Sequence, residues 1–218
     1  MRKLLTVCVM LCLWAINLQA QDRPHVFEGA EIIPITGDVI SNGVLVVQNG
    51  KIEAVGEAGS VSIPRNAVRV DASGKVIMPG LVDTHSHIGE GDGGDRSATL
   101  HPDVRIMDTI DPRSKTFYKA LAGGLTTVNI MPGSGHLMSG QTTFLKLRDG
   151  NTASDLTACD DRPVEACGGM KMANGTNPQR EAGPFPQTRG HAAAMVRQQF
   201  VEAQAYQRKK EQAESEAA

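Results

Sequence analysis

The stretch Val76-Ile77-Met78-Pro79-Gly80-Leu81-Val82-Asp83-Thr84-His85-Ser86-His87 decides how this chain is read. Pro79-Gly80 ends one short apolar run, and Leu81 opens another that predicts a strand over residues 81–87. Side chains alternate along a strand, so His85 and His87 are expected on one face. Two imidazoles two residues apart are able to hold one divalent ion. By the same count Asp83 shares that face and would orient a ligand from behind. Taken alone, a His-x-His pair is a weak signal, because most histidines on strands are structural or simply exposed.

Upstream, residues 26–80 read as short strands. Val44–Gln48 and Lys51–Val55 flank Asn49-Gly50, the turn pair that tolerates positive φ at both positions. Val68–Val70 and Lys75–Met78 continue a small β module. Downstream, residues 89–103 are rich in Gly and Asp and predict a loop. Phe117, Ala120 and Leu121 carry helical spacing over 113–123, which stops at Gly123-Gly124. Strands are expected at 125–130, 143–147 and 168–173, with a loop at 174–186. A long helix over 188–214 starts at Thr188 and carries Ala192, Val196, Phe200, Ala203 and Tyr206 as an apolar stripe. Strands and helices in this order predict parallel α/β units.

Residues 76–87 closely resemble the start of the barrel in the metal-dependent amidohydrolase superfamily. Ala122-Gly123-Gly124-Leu125-Thr126-Thr127-Val128 is similar to that family's second-strand signature, and Asn49-Gly50-Lys51-Ile52 to its sandwich entry. The imidazolonepropionase-like members are the subgroup most resembled. The resemblance implies an α/β fold, with a small β-sandwich module at 21–80 followed by the first half of a (β/α)8 barrel at 81–218. It implies His85 and His87 as the first two metal ligands. Lys171, on the implied fourth strand, would bridge or complete the site as a carboxylated lysine; a lysine lining the barrel mouth without metal is the alternative. Zinc suits such ligands first, ahead of manganese, iron or nickel. The implied reaction is hydrolysis of a non-peptide or dipeptide C–N bond in a small molecule by metal-activated water.

His136 is expected as an exposed loop histidine, His101 and His191 as bland, and Ser139-Gly140-Gln141 as a turn or a pocket lining. The family takes further histidines and a proton-shuttling Asp from later strands. A closed barrel needs roughly 250 residues, and about 140 follow Gly80. The second functional reading is therefore a truncated, non-catalytic half-barrel that binds metal weakly or associates with another chain.

Composition sets outer limits. The 218 residues are 40% hydrophobic, enough to close a core, which excludes disorder throughout. Lys and Arg number 22 against 24 Asp and Glu, without a basic stripe, so no nucleic-acid partner is expected. Aromatic residues make up only 4%, which argues against a sugar-stacking surface. Arg2-Lys3, the apolar run Leu4–Leu18 and the small Ala20 predict a signal peptide at 1–20, with export to the periplasm or beyond. No membrane span is expected after it. Cys159 and Cys167 then remain, either as a disulfide across a loop or as two small core residues.

Overall fold

The computed structural model describes residues 23–89, 94–95, 97–159, 167–181 and 183–217. The signal peptide expected at 1–20 lies outside the described residues. The chain divides into two units, Met1–Pro79 and Gly80–Ala218.

The first unit is one mixed sheet of β1 (His25–Ile32), β2 (Ile40–Gln48), β3 (Lys51–Glu57), β4 (Val68–Asp71) and β5 (Val76–Ile77). Its order is β3-β2-β1-β4, with β5 also on β1. Val26 pairs with Val46, and Phe27 with Leu45. Neighbouring pairs point to opposite faces, which is why two small clusters form, one around Val26, Val44 and Val46 and one around Ala30, Ile32 and Ala72. The expected sandwich has two facing sheets; among the described residues this unit has one.

The β2–β3 turn is the one the sequence predicts, with Asn49 at φ 52° and Gly50 at φ 70°. A Cβ on Gly50 would meet nothing within 4 Å, so only the backbone conformation opposes one there. Gly50→Ala is expected to cost about 1 kcal/mol, read as a lowered urea midpoint with an unchanged slope.

The second unit begins at Gly80, where a Cβ would fall 2.1 Å from Thr126 Cγ2. The Pro-Gly-Leu run therefore needs glycine to let the chain pass beside the second strand. β6 (Leu81–Ser86) lies parallel to β7 (Leu125–Ile130), joined through α1 (Lys115–Ala122). Ser114 caps α1, its hydroxyl accepting from Thr116 N at 3.2 Å. β8 (Met138–Gln141) pairs antiparallel with β10 (Met170–Met172), and β9 (Thr143–Lys146) antiparallel with β7.

The expected run of parallel units therefore holds only for β6 and β7. The chain between β7 and β9 is short and carries β8 but no helix. A parallel return needs a longer crossover, usually helical, so β9 comes back antiparallel. Ser139-Gly140-Gln141 is part of β8, not a turn; a Cβ on Gly140 would lie 2.6 Å from Val104 O. The core beneath the sheet joins Ile106, Ile110, Phe117, Val128, Ile130, Leu145, Leu147 and Leu156. Leu156 closes α2 (Ala153–Leu156). Cys159 and Cys167 form a disulfide with Cα atoms 5.5 Å apart.

The C-terminal helix α3 (Arg189–Ala217) starts where Thr188 Oγ1 accepts from His191 N at 3.2 Å. None of its described residues is buried, and Phe200 and Tyr206 of its apolar stripe are exposed. Among the described residues no helix is long and apolar enough to cross a membrane.

Candidate metal centre

β6 does not alternate strictly. Asp83 pairs with Val128 and Ser86 with Ile130, so three steps on β6 match two on β7. Ser86 consequently turns to the buried side with Ile130, and His85 and His87 emerge on the opposite face. Their rings stand 5.2 Å apart, centroid to centroid, at 74°. The shared face expected for Asp83 fails because of this slip. Asp83 Oδ1 instead accepts from the backbone N–H of His85 at 3.0 Å, so it holds the strand rather than a ring.

Lys171 comes from β10, 86 residues further along the chain. Its Nζ lies 3.2 Å from His85 Nε2 and 3.4 Å from Met131 Sδ. The residue is buried, and burial pushes its amine below the ordinary lysine range. His87 Nδ1 lies 2.8 Å from the Met131 carbonyl oxygen. A carbonyl only accepts, so Nδ1 is the donor and Nε2 is the ring nitrogen left to bind an ion. Met131 thus touches two of the three expected site residues, a role that sequence reasoning missed.

Asn129 was missed too. Its Nδ2 donates to Thr84 O at 3.4 Å, and its Oδ1 is buried without a hydrogen-bond partner among the described residues. An orphaned acceptor of this kind costs about 1–3 kcal/mol when nothing else satisfies it.

The remaining histidines lie elsewhere. His136 is 3% exposed, not an exposed loop residue. It packs edge-on to His101 at 5.6 Å and tilts against Phe185 at 5.6 Å. Its burial follows from two distant loops closing over it: Thr99 Oγ1 donates to Pro184 O, and Arg180 Nη2 to Gly135 O. His101 is also buried, its Nε2 accepting from Ala98 N at 3.2 Å. His191 is exposed at the start of α3.

Among the described residues no group of three or more His, Cys, Asp or Glu side chains is placed to hold an ion. The donors that do converge are two imidazoles and one desolvated amine. One imidazole is tautomerically fixed with Nε2 open, and the other already has its Nε2 engaged by Lys171. Such a set fits a borderline divalent cation better than magnesium or calcium, which favour all-oxygen shells.

No family model matches the chain. The fold is similar to the crystal structure of an amidohydrolase from Thermotoga maritima, with a TM-score of 0.77 and 34% identity, covering 89% of this chain and 51% of that one. In sequence the chain is 30% identical over 158 residues to an amidohydrolase of Hapsidospora irregularis, covering 65% of this chain and 16% of that protein. It is 43% identical over 61 residues to the imidazolonepropionase of Rhizobium rhizogenes, covering 28% of this chain and 14% of that protein. The chain thus spans about half of the Thermotoga protein and a smaller share of the curated relatives. A mixed α/β unit in this company defines the class as that of the amidohydrolases and related deaminases. Within that class the chain belongs to the amidohydrolase superfamily.

Proposed function

We propose that this chain carries the first part of the metal centre of an amidohydrolase, an enzyme that hydrolyses a C–N bond in a small molecule. The observation that carries the reading is the 3.2 Å contact between Lys171 Nζ and His85 Nε2, which brings together residues from β6 and β10. His85 and His87 would hold the ion, and Lys171, carboxylated, would complete its shell. Zinc is the ion that this donor set favours. When bound, it supplies Lewis acidity that makes water nucleophilic near neutral pH.

The chain's own residues do the positioning. The Met131 carbonyl fixes the His87 tautomer, Asp83 pins the backbone of His85, and the buried setting of Lys171 favours its neutral, CO2-reactive amine. The imidazolonepropionase-like subgroup, the half-barrel and export remain parts of the same proposal. Desolvation and sheet edges bear on the second reading: β6 pairs only with β7 among the described residues, and its Leu81 and Val82 are 50% and 58% exposed. An open apolar edge suits association with another chain.

The chain, loaded with zinc and then dialysed, is expected to retain close to one ion per chain by elemental analysis. Ammonia or amine release from cyclic amides and dipeptides then separates the two readings. Retained zinc with turnover supports the enzyme; retained zinc without turnover supports the associating half-barrel; loss of zinc overturns the metal centre.

A further inference from the structure

Asn129 on β7 carries a buried polar atom that the metal centre above does not use. Asn129 is next to Ile130 on β7, and Ile130 pairs with Ser86 on the core side. Alternation turns Asn129 to the other face, where it pairs across to Phe144 of β9. The β6 bulge sends His85 to that same face, on the adjoining strand and one residue from Ser86. Asn129 therefore lies across from the Thr84–His85 stretch of β6. The contact from its Nδ2 to Thr84 O ties the amide to the backbone just before His85. That contact leaves Oδ1 as the free end, buried and without a hydrogen-bond partner among the described residues.

We infer that Asn129 gives its side-chain oxygen to the cation held by His85 and His87, as a neutral oxygen donor acting directly or through one water. The inference rests on the reading of His85 and His87 as metal ligands. Its physical ground is complementarity: among the described residues no third His, Cys, Asp or Glu side chain joins the pair, so beside the carbamate of Lys171 the shell has room for a neutral oxygen, and the buried Asn129 oxygen lacks a hydrogen-bond donor. A residue that only filled space would not leave a buried acceptor orphaned beside the strand that carries the histidines.

The test is zinc affinity, measured by competition with a chromophoric chelator, in wild type, Asn129→Leu and Asn129→Asp. Asn129→Leu keeps the volume and removes the orphaned acceptor, so the metal-free protein should melt no lower than wild type. Its zinc Kd should nevertheless rise about tenfold, the scale of supporting contacts at metal sites. Asn129→Asp adds a charge at the same place and should lower the Kd by a similar factor. The visible spectrum of the cobalt-loaded protein should differ among the three. Equal Kd values and superimposable cobalt spectra overturn the inference and leave the metal centre standing. A wild-type chain that takes up no zinc overturns both.

Discussion

Zinc binding falls by at least about a thousandfold when His85 and His87 are both replaced by alanine, which is about 4 kcal/mol of binding free energy. The size follows from what each ring supplies. Structural zinc sites gain roughly 10–16 kcal/mol from four ligands, so each ligand is worth several. Removing both imidazoles leaves Lys171, whose uncarboxylated amine competes with the ion as a cation when protonated. The loss should not come from unfolding. Both histidines are exposed, and surface substitutions of this kind usually stay within about 0.5 kcal/mol. The melting curve of the metal-free double variant should therefore overlay that of wild type. The single variants separate the two roles. His87→Ala frees the Met131 carbonyl but leaves the contact between His85 and Lys171 in place; His85→Ala removes that contact. Zinc content unchanged in the double variant, with an intact fold, removes the metal centre as assigned.

The parts of this site that were legible in the sequence are those that local chemistry dictates. Asn49-Gly50 enforces its turn because both residues must take positive φ. The α1 helix declares itself by spacing and by Gly123-Gly124, and the β6 histidines by alternation. What local pattern does not carry is direction and partner. β9 has the composition of any buried strand, and only the helix-free connection before it makes it run against β7. β8 hides behind Ser139-Gly140, whose residue types suit turns, and it is a strand because Val104 and β10 supply its hydrogen bonds. Lys171, expected as a site residue from the resemblance, lies beside His85 although its strand pairs with β8 and not with the β6–β7–β9 sheet. Met131 escaped notice because its grip on His87 is through a main-chain carbonyl, which every residue has. Asn129 escaped because an amide among the apolar residues of a strand looks like an ordinary half-buried polar residue until its oxygen is seen to be orphaned. His136 was misread because its burial depends on Phe185, almost fifty residues away, and not on its glycine-rich neighbours.

Leu145→Ala is expected to destabilise the second unit by about 3 kcal/mol, within the range measured for buried leucines cut back to alanine. Leu145 is wholly buried at the centre of β9 and faces Val128 in the register of the sheet. It packs in the same cluster as Ile130 and Phe117, so no flexible neighbour stands ready to fill the space. The consequence for the site is indirect. β9 flanks β7, and β7 carries both Asn129 and, just past its end, Met131. The variant should bind zinc with nearly the wild-type Kd whenever it is folded, but less of it will be folded. Saturating metal then pulls the equilibrium back: zinc at about 100 times its Kd adds about 2.7 kcal/mol to the folded state. Chemical denaturation with and without zinc reads both effects in one experiment. A metal-free midpoint equal to that of wild type would show that this cluster does not hold the sheet together. A full loss of stability that zinc fails to recover would show that the packing under β7 and the ion above it are not coupled through the folded unit.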